Sequence, residues 1–169
     1  MPGTTVTRTP VASYQIQHWV KFEDGTYLQV TELKTADAER SANTYEPEYI
    51  DKQVQPKYNL GRTDEISFEV DAFGPDGAQK EFAAHEDDQD VAVEYVRTCA
   101  YDFSKGAAAP ANALVAKHAA ALLNMNVMSQ SASSPATMSG TITISSEYDY
   151  GTFDPETATF TPAESAGTE

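Results

Sequence analysis

A mainly β fold, made of antiparallel strands with one short flanking helix and a long extended loop, is what this sequence predicts. Three observations predict it. Ile66, Phe68, Val70 and Ala72 alternate with Glu65, Ser67, Glu69 and Asp71, and a period of two places one set on each face of a strand. Alternating or β-branched and aromatic runs recur at residues 15–22, 27–33, 91–98 and 137–146. Helical spacing is confined to residues 76–86 and to an ambiguous Ala-rich stretch at 111–128.

In chain order, residues 1–12 are polar and Thr-rich and are expected to form a flexible arm. Ile16, His18, Val20 and Phe22 then alternate with Gln15, Gln17, Trp19 and Lys21. Glu23-Asp24-Gly25-Thr26 carries the Asp-Gly hairpin signal, and residues 27–33 return as the partner strand with Leu28 and Val30 on one face. His18, among apolar neighbours, is expected to be a packed histidine. Residues 35–43 read as a polar connection, and the whole of 35–61 as a loop arm. Tyr45, Pro47, Tyr49, Ile50, Val54, Pro56 and Tyr58 fall within it. Irregular stretches of that length inside a domain are functional or disordered, and the tyrosines argue for a docking arm. The alternative is a loop folded back on its own core.

Gly61 precedes the acidic strand and Gly74-Pro75-Asp76-Gly77 closes it. Ala78, Phe82 and His85 mark a short helix behind an acidic first turn. Glu86-Asp87-Asp88-Gln89-Asp90 lacks the alternating ligands and central Gly of a calcium loop and reads as solvated. Residues 91–98 are a strand. At 111–128, Ala content and Pro110 favour a helix, whereas Leu123, Met125 and Val127 alternate as a strand does. A Ser-rich loop at 129–136, a strand at 137–146, a turn centred on Gly151 and a last strand near 158–160 complete a single domain at 13–161, before a loose tail at 162–169.

The chain has 169 residues, 26 acids against 11 bases and a formal charge of −15. That balance disfavours nucleic-acid backbones, which are bound by Lys and Arg displacing counterions, and anionic membrane surfaces likewise. One cysteine, Cys99, allows no internal disulfide and fits a reducing cytoplasm. Neither a signal-peptide core nor a bilayer-length apolar run is seen. Catalysis finds no support: no G-x-S-x-G, no phosphate loop, no Cys/His pair at ligand spacing, and three histidines in separate motifs. No catalytic residue, metal ligand or cofactor site is therefore assigned.

Glu65, Glu69 and Asp71 on one strand face repel one another and should look onto water; a solvated face without a task is the plain alternative. A sharper reading comes from Tyr45-Glu46-Pro47-Glu48-Tyr49-Ile50-Asp51, Gly61-Arg62-Thr63, Ser139-Gly140-Thr141-Ile142-Thr143 and Gly151-Thr152-Phe153-Asp154. In that order they resemble tail tube proteins (major tail proteins) of long-tailed bacteriophages and related tailed viruses. The resemblance extends over roughly two thirds of the chain and does not include the Ala-rich 107–121.

It implies a β-sandwich or flattened barrel with a flanking helix, a structural virion protein made in the host cytoplasm, and homo-hexameric rings joined sheet edge to sheet edge and stacked into a tube. Other tail proteins would cap the tube, and a sheathless tail is favoured. Glu65, Glu69 and Asp71 would then face the lumen, where six copies of a −15 chain bring −90 and DNA slides without specific binding. Tyr45, Pro47, Tyr49, Ile50, Val54, Pro56 and Tyr58 would make contacts between subunits or rings. The alternative is a monomeric β-sandwich binding module of a virion, receptor-binding or capsid-decorating.

Overall fold

A computed structural model describes residues 8–23, 25–74 and 77–164. The outer parts of the expected arm and tail, the Asp24 of the expected hairpin turn, and Pro75 and Asp76 lie outside the described residues. In chain order the strands are β1 (Ile16–Lys21), β2 (Leu28–Gln29), β3 (Leu33–Tyr45), β4 (Tyr58–Asp71), β5 (Val91–Cys99), β6 (Tyr101–Asp102), β7 (Ala107–Ala108), β8 (Leu114–Met125), β9 (Ser129–Ser131), β10 (Ser134–Ile144), β11 (Asp149–Asp154) and β12 (Thr159–Pro162), with a helix α1 (Gly77–Ala84) after β4.

The main sheet runs β2-β1-β5-β8-β10-β4-β3, every pair antiparallel. Among the described residues it does not close into a barrel, because β2 and β3 remain its two ends. Its centre, β8, is forked. Ala121 to Met125 pair with β10, whereas Leu114 to His118 pair with β11, which carries β12 on its far side.

Two cores result. On one face Val20, Phe22, Ile66, Phe68, Val70, Tyr95, Leu123 and Ile142 pack together, and α1 closes that face by inserting Ala78 and Phe82. Phe82 lies 5.2 Å from Phe68, ring to ring. Gln79 ties the helix to the end of β4, accepting from the Phe73 N–H at 2.9 Å and donating to the Asp71 carbonyl at 2.9 Å. On the other face the β11–β12 wing folds over so that Phe153 meets Trp19 at 4.7 Å, beside Val96 and Ala116. Gly151 permits that wing, since a Cβ there would stand 2.1 Å from the Thr161 carbonyl oxygen.

The strand alternation at 66–72 and 91–98 is present as expected, and several other expectations are corrected. Of the two readings open at 111–128 the structure forms the strand, and it reaches back through the Ala-rich part to Leu114, where Ala content favours a helix. Helix propensity is a weak preference, and β8 has hydrogen-bonded neighbours on both edges and cover on both faces. Its alanines serve packing: Ala119 is paired with Tyr95 and Ala116 lies in the Trp19 cluster, where larger side chains would collide with those rings. Residues 35–43 are not a connection but the body of β3, thirteen residues that bury almost nothing. The partner strand expected at 27–33 is only Leu28 and Gln29, because Glu32 takes a left-handed φ of 54° and turns the chain away. The Ser-rich 129–136 holds a short hairpin of β9 and β10, and residues 149–154 form a strand rather than a turn. The acidic first turn expected of α1 rests on Asp76, outside the described residues.

His18 is half-buried, and its Nδ1 shares a hydrogen bond with the Tyr95 hydroxyl at 2.6 Å. Burial, with Arg97 adding like charge, lowers its pKa to about 4. The unfolded chain therefore takes up a proton from pH 6.5 downward that the folded chain refuses until about pH 4. Stability should fall across that window by about 3 kcal/mol from this group. His18→Leu is expected to flatten the fall between pH 6.5 and 4 in urea unfolding; an unchanged slope would show that the fold does not lower the pKa of His18.

Candidate functional site

On β4 the side chains that do not enter the core are Glu65, Ser67, Glu69 and Asp71, with Glu65 and Ser67 exposed and Glu69 and Asp71 half-buried. Their cross-strand partners on β10 are Thr143, Thr141, Ser139 and Thr137. On β3 the partners of Glu65, Ser67 and Glu69 are Glu39, Asp37 and Thr35. Paired residues share a face, so three strands present one polar sheet surface with five carboxylates and no large apolar side chain. Asp37 and Glu39 escaped the sequence reading because residues 35–43 passed for a loop. The signal was there: Ala36 and Ala38 alternate with Thr35, Asp37 and Glu39, but alanine marks a buried face weakly.

Lys34 also belongs to this surface. The register slips between Leu33 and Thr35, leaving Lys34 as the extra residue of a bulge, and its Nζ lies 2.8 Å from Glu69 and 3.5 Å from Asp71. Two of the three acids assigned from sequence are thus partly neutralised by one lysine. Glu65 instead faces Glu39 directly across the strands. Like charges at such a position are destabilising.

Beyond the acidic surface β3 and β4 run on as a two-stranded hairpin that leaves the body of the sheet. A bidentate ion pair holds its root, Arg40 donating to Asp64 from Nε and Nη2 at 2.7 Å each. Those hydrogen bonds, against the opposing effect of burial, keep the Asp64 carboxyl below the usual carboxylate range. Further out, a second register slip puts Gly61 at φ 121°, a conformation that glycine alone adopts readily. Tyr45 and Tyr58 then stack at 6.3 Å where the strands end.

The tip, residues 46–57, is ordered by its own contacts. Gln55 accepts from the Tyr49 N–H at 2.7 Å and donates to the Tyr49 and Lys52 carbonyls. Lys57 pairs with Glu46. Tyr45, Tyr49, Ile50, Val54 and Tyr58 are exposed, Ile50 completely, and none belongs to either core. Pro47 is buried and Pro56 half-buried within the single chain. The loop arm expected at 35–61 is therefore a stiff hairpin with an apolar tip.

Among the described residues no three of His, Cys, Asp and Glu gather where they could hold a metal ion. The histidines sit apart: His18 against Tyr95, His85 against Asp88 at 2.7 Å, and His118 between Glu94 and Asp149.

No family of sequences matches this chain, and no curated protein matches it either. Its shape has relatives. A chain of the SPP1 tail tube superimposes with a TM-score of 0.57 over 88% of this chain and 85% of that one, at 13% identity. A chain from the tail of an empty gene transfer agent particle, of C6 symmetry, gives 0.54 over 83% and 98%, at 11% identity. A chain of the sheath/tube terminator of an extracellular contractile injection system gives 0.52 over 85% and 97%, at 10% identity. The fold is the tail-tube fold.

Within this tail-tube fold the Glu39–Glu65 opposition works against the stability of the isolated chain. Glu39→Gln is expected to raise its unfolding free energy by a few tenths of a kcal/mol. The gain should shrink as salt screens the pair, and urea melts at low and high salt that show no gain would remove the claim of repulsion.

Proposed function

We propose that this chain is the structural subunit of a viral tail tube: copies join edge to edge into six-membered rings, rings stack, and the tube conducts DNA through a bore lined by the β3–β4–β10 surface. The observation that carries the reading is the acidic sheet face. A single subunit gains nothing from setting Glu39 against Glu65, whereas a ring that repeats Asp37, Glu39, Glu65, Glu69 and Asp71 around an axis surrounds a polyanion with like charge. DNA then slides without adhering. The C6 symmetry of the gene transfer agent tail supports six as the ring number.

Two further features suit assembly. β3 is an end strand of the main sheet, and along its thirteen residues the backbone groups that do not pair with β4 form an open edge, a hazard in a monomer and a template for a neighbouring sheet. The exposed Tyr45, Tyr49, Ile50, Val54 and Tyr58 supply the aromatic and aliphatic anchors typical of interface centres, and we assign them to the contact with the next ring. The subunit's partners are its own copies and the tail proteins at the tube ends, in the virion. DNA is a passing cargo.

Electron microscopy of the purified chain is expected to show rings or tubes at high concentration; a chain that stays monomeric in mass photometry and micrographs would instead indicate a virion binding module. Replacing residues 46–57 by a short Gly-Ser linker is expected to leave rings and abolish tubes, and unimpaired tubes would remove the tip from the stacking contact. Changing Glu65, Glu69 and Asp71 together to lysine is expected to permit assembly but slow DNA release from particles by about tenfold or more, whereas release at the normal rate would remove the lumen assignment.

A further inference from the structure

The chain's charge is unevenly spread along its strands. At the hairpin root, on the core side of the sheet, His18, Arg97 and Lys117 stand side by side in register on β1, β5 and β8. Arg40 and Arg62 lie beside them around Asp64, at 2.7 and 3.7 Å from its Oδ1. Arg40 and Arg62 thus hold one buried carboxylate, Lys117 also acts on it, and Arg97 stands beside Lys117. Asp64 is already engaged by Arg40, and among the described residues neither Arg97 nor Lys117 has a carboxylate within ion-pair distance. Lys117 rests 3.8 Å above the Tyr148 ring; burial and then the charges of Arg97, Arg40 and Arg62 lower its pKa. Arg97 and Lys117 are direct cross-strand partners of like sign, which is destabilising unless an anion lies between them. They are among the lining of a cleft of about 1000 Å³ that opens between β1 and β3, whose lining also carries Lys34 and Arg40 and the carboxylates Glu32, Asp37, Glu39, Asp64 and Glu65. The Arg97–Lys117 pair is therefore a local basic patch in a wall of mixed charge.

The opposite end of the same strand carries the opposite sign. Glu86, Asp87, Asp88 and Asp90 precede Val91, where β5 begins, and Arg97 lies six residues further on, about 20 Å at strand rise. That loop is braced: Asn124 bonds Asp90 at 2.8 and 3.0 Å, and Glu86 accepts from the Met128 N–H at 3.2 Å. Asp87 and Asp88 are exposed, Asp88 lying 2.7 Å from His85 Nδ1.

We infer that the Arg97–Lys117 cleft receives the Asp87–Asp88 loop of a second copy, so that successive copies dock head to tail along the strand direction. This rests on the stacking reading above and assigns its electrostatic half. The hairpin leaves the sheet at the basic end, so tip and cleft face the same neighbour. The tip supplies apolar area, and the charges set which end of the next copy is accepted, since reversed docking would bring like signs together.

The test is a charge exchange. Arg97→Glu with Lys117→Glu, and separately Asp87→Lys with Asp88→Lys, are each expected to raise the concentration for half-polymerisation by about tenfold or more, corresponding to about 1.4 kcal/mol. The four changes together are expected to restore polymerisation. The Asp87/Asp88 variant alters exposed side chains and breaks the Asp88–His85 contact, and thermal melts check that every variant folds. Normal polymerisation by either double variant, or no rescue by the combination, overturns the inference while the wild-type tube leaves the stacking reading intact. A wild-type chain that never polymerises overturns both. A 20-nucleotide single-stranded DNA probe reports the competing occupant: tight, salt-sensitive binding lost in Arg97→Glu/Lys117→Glu, without rescue of polymerisation, would reassign the cleft to phosphate.

Discussion

Hydrogen bonding of β4 between β3 and β10 is the constraint on which the rest of the structure depends. It sets the register that sends Ile66, Phe68 and Val70 beneath α1 and leaves Glu65, Glu69 and Asp71 outside. A slip of one residue would bury three carboxylates and expose the three side chains at the centre of the main core, a change far larger than the stability of a domain. The acidic surface is therefore enforced by the same interaction that makes the core. It also extends past the core, because the ladder continues to Tyr45 and Tyr58 where nothing apolar lies beneath it.

That extension divides the molecule into parts with different physics. The body is held by buried apolar surface, the cover of α1 and the folded β11–β12 wing. The hairpin is held by backbone pairing, the Arg40–Asp64 ion pair, the Gln55 contacts and the Tyr45–Tyr58 stack. Such a ribbon keeps its shape without a core of its own and leaves its apolar tip free for another surface. Its end strand, its tip and its acidic face are each poor features for a solitary chain, and each has a use once copies assemble.

Legibility from sequence follows burial. Where a strand has one buried face, as at Ile66 to Ala72, the pattern is plain. Where a strand is covered only at its start, as β3 is at Leu33 and Ala36, the only trace is Ala36 and Ala38 between Thr35, Asp37 and Glu39, which a polar connection would match equally well. Where both faces are covered, as along β8, alanines fill the positions opposite Tyr95 and near Trp19 and imitate a helix. The bulge that turns Lys34 onto Glu69 and Asp71, and the burial of Pro47, leave no one-dimensional signal because each depends on where the chain crosses itself.

By itself the sequence determined the β class, the short helix, the acidic strand face and the apolar tyrosine segment, since each arises from residues close together in the chain and from a period of two. Tertiary structure alone decided that residues 35–43 are a strand, that 114–125 is the forked centre of the sheet, and that Arg40, Arg97 and Lys117 share one cleft. Those outcomes are made by pairing between distant segments, whose hydrogen bonds are between backbone groups that every residue carries alike, so the side-chain pattern need not announce them.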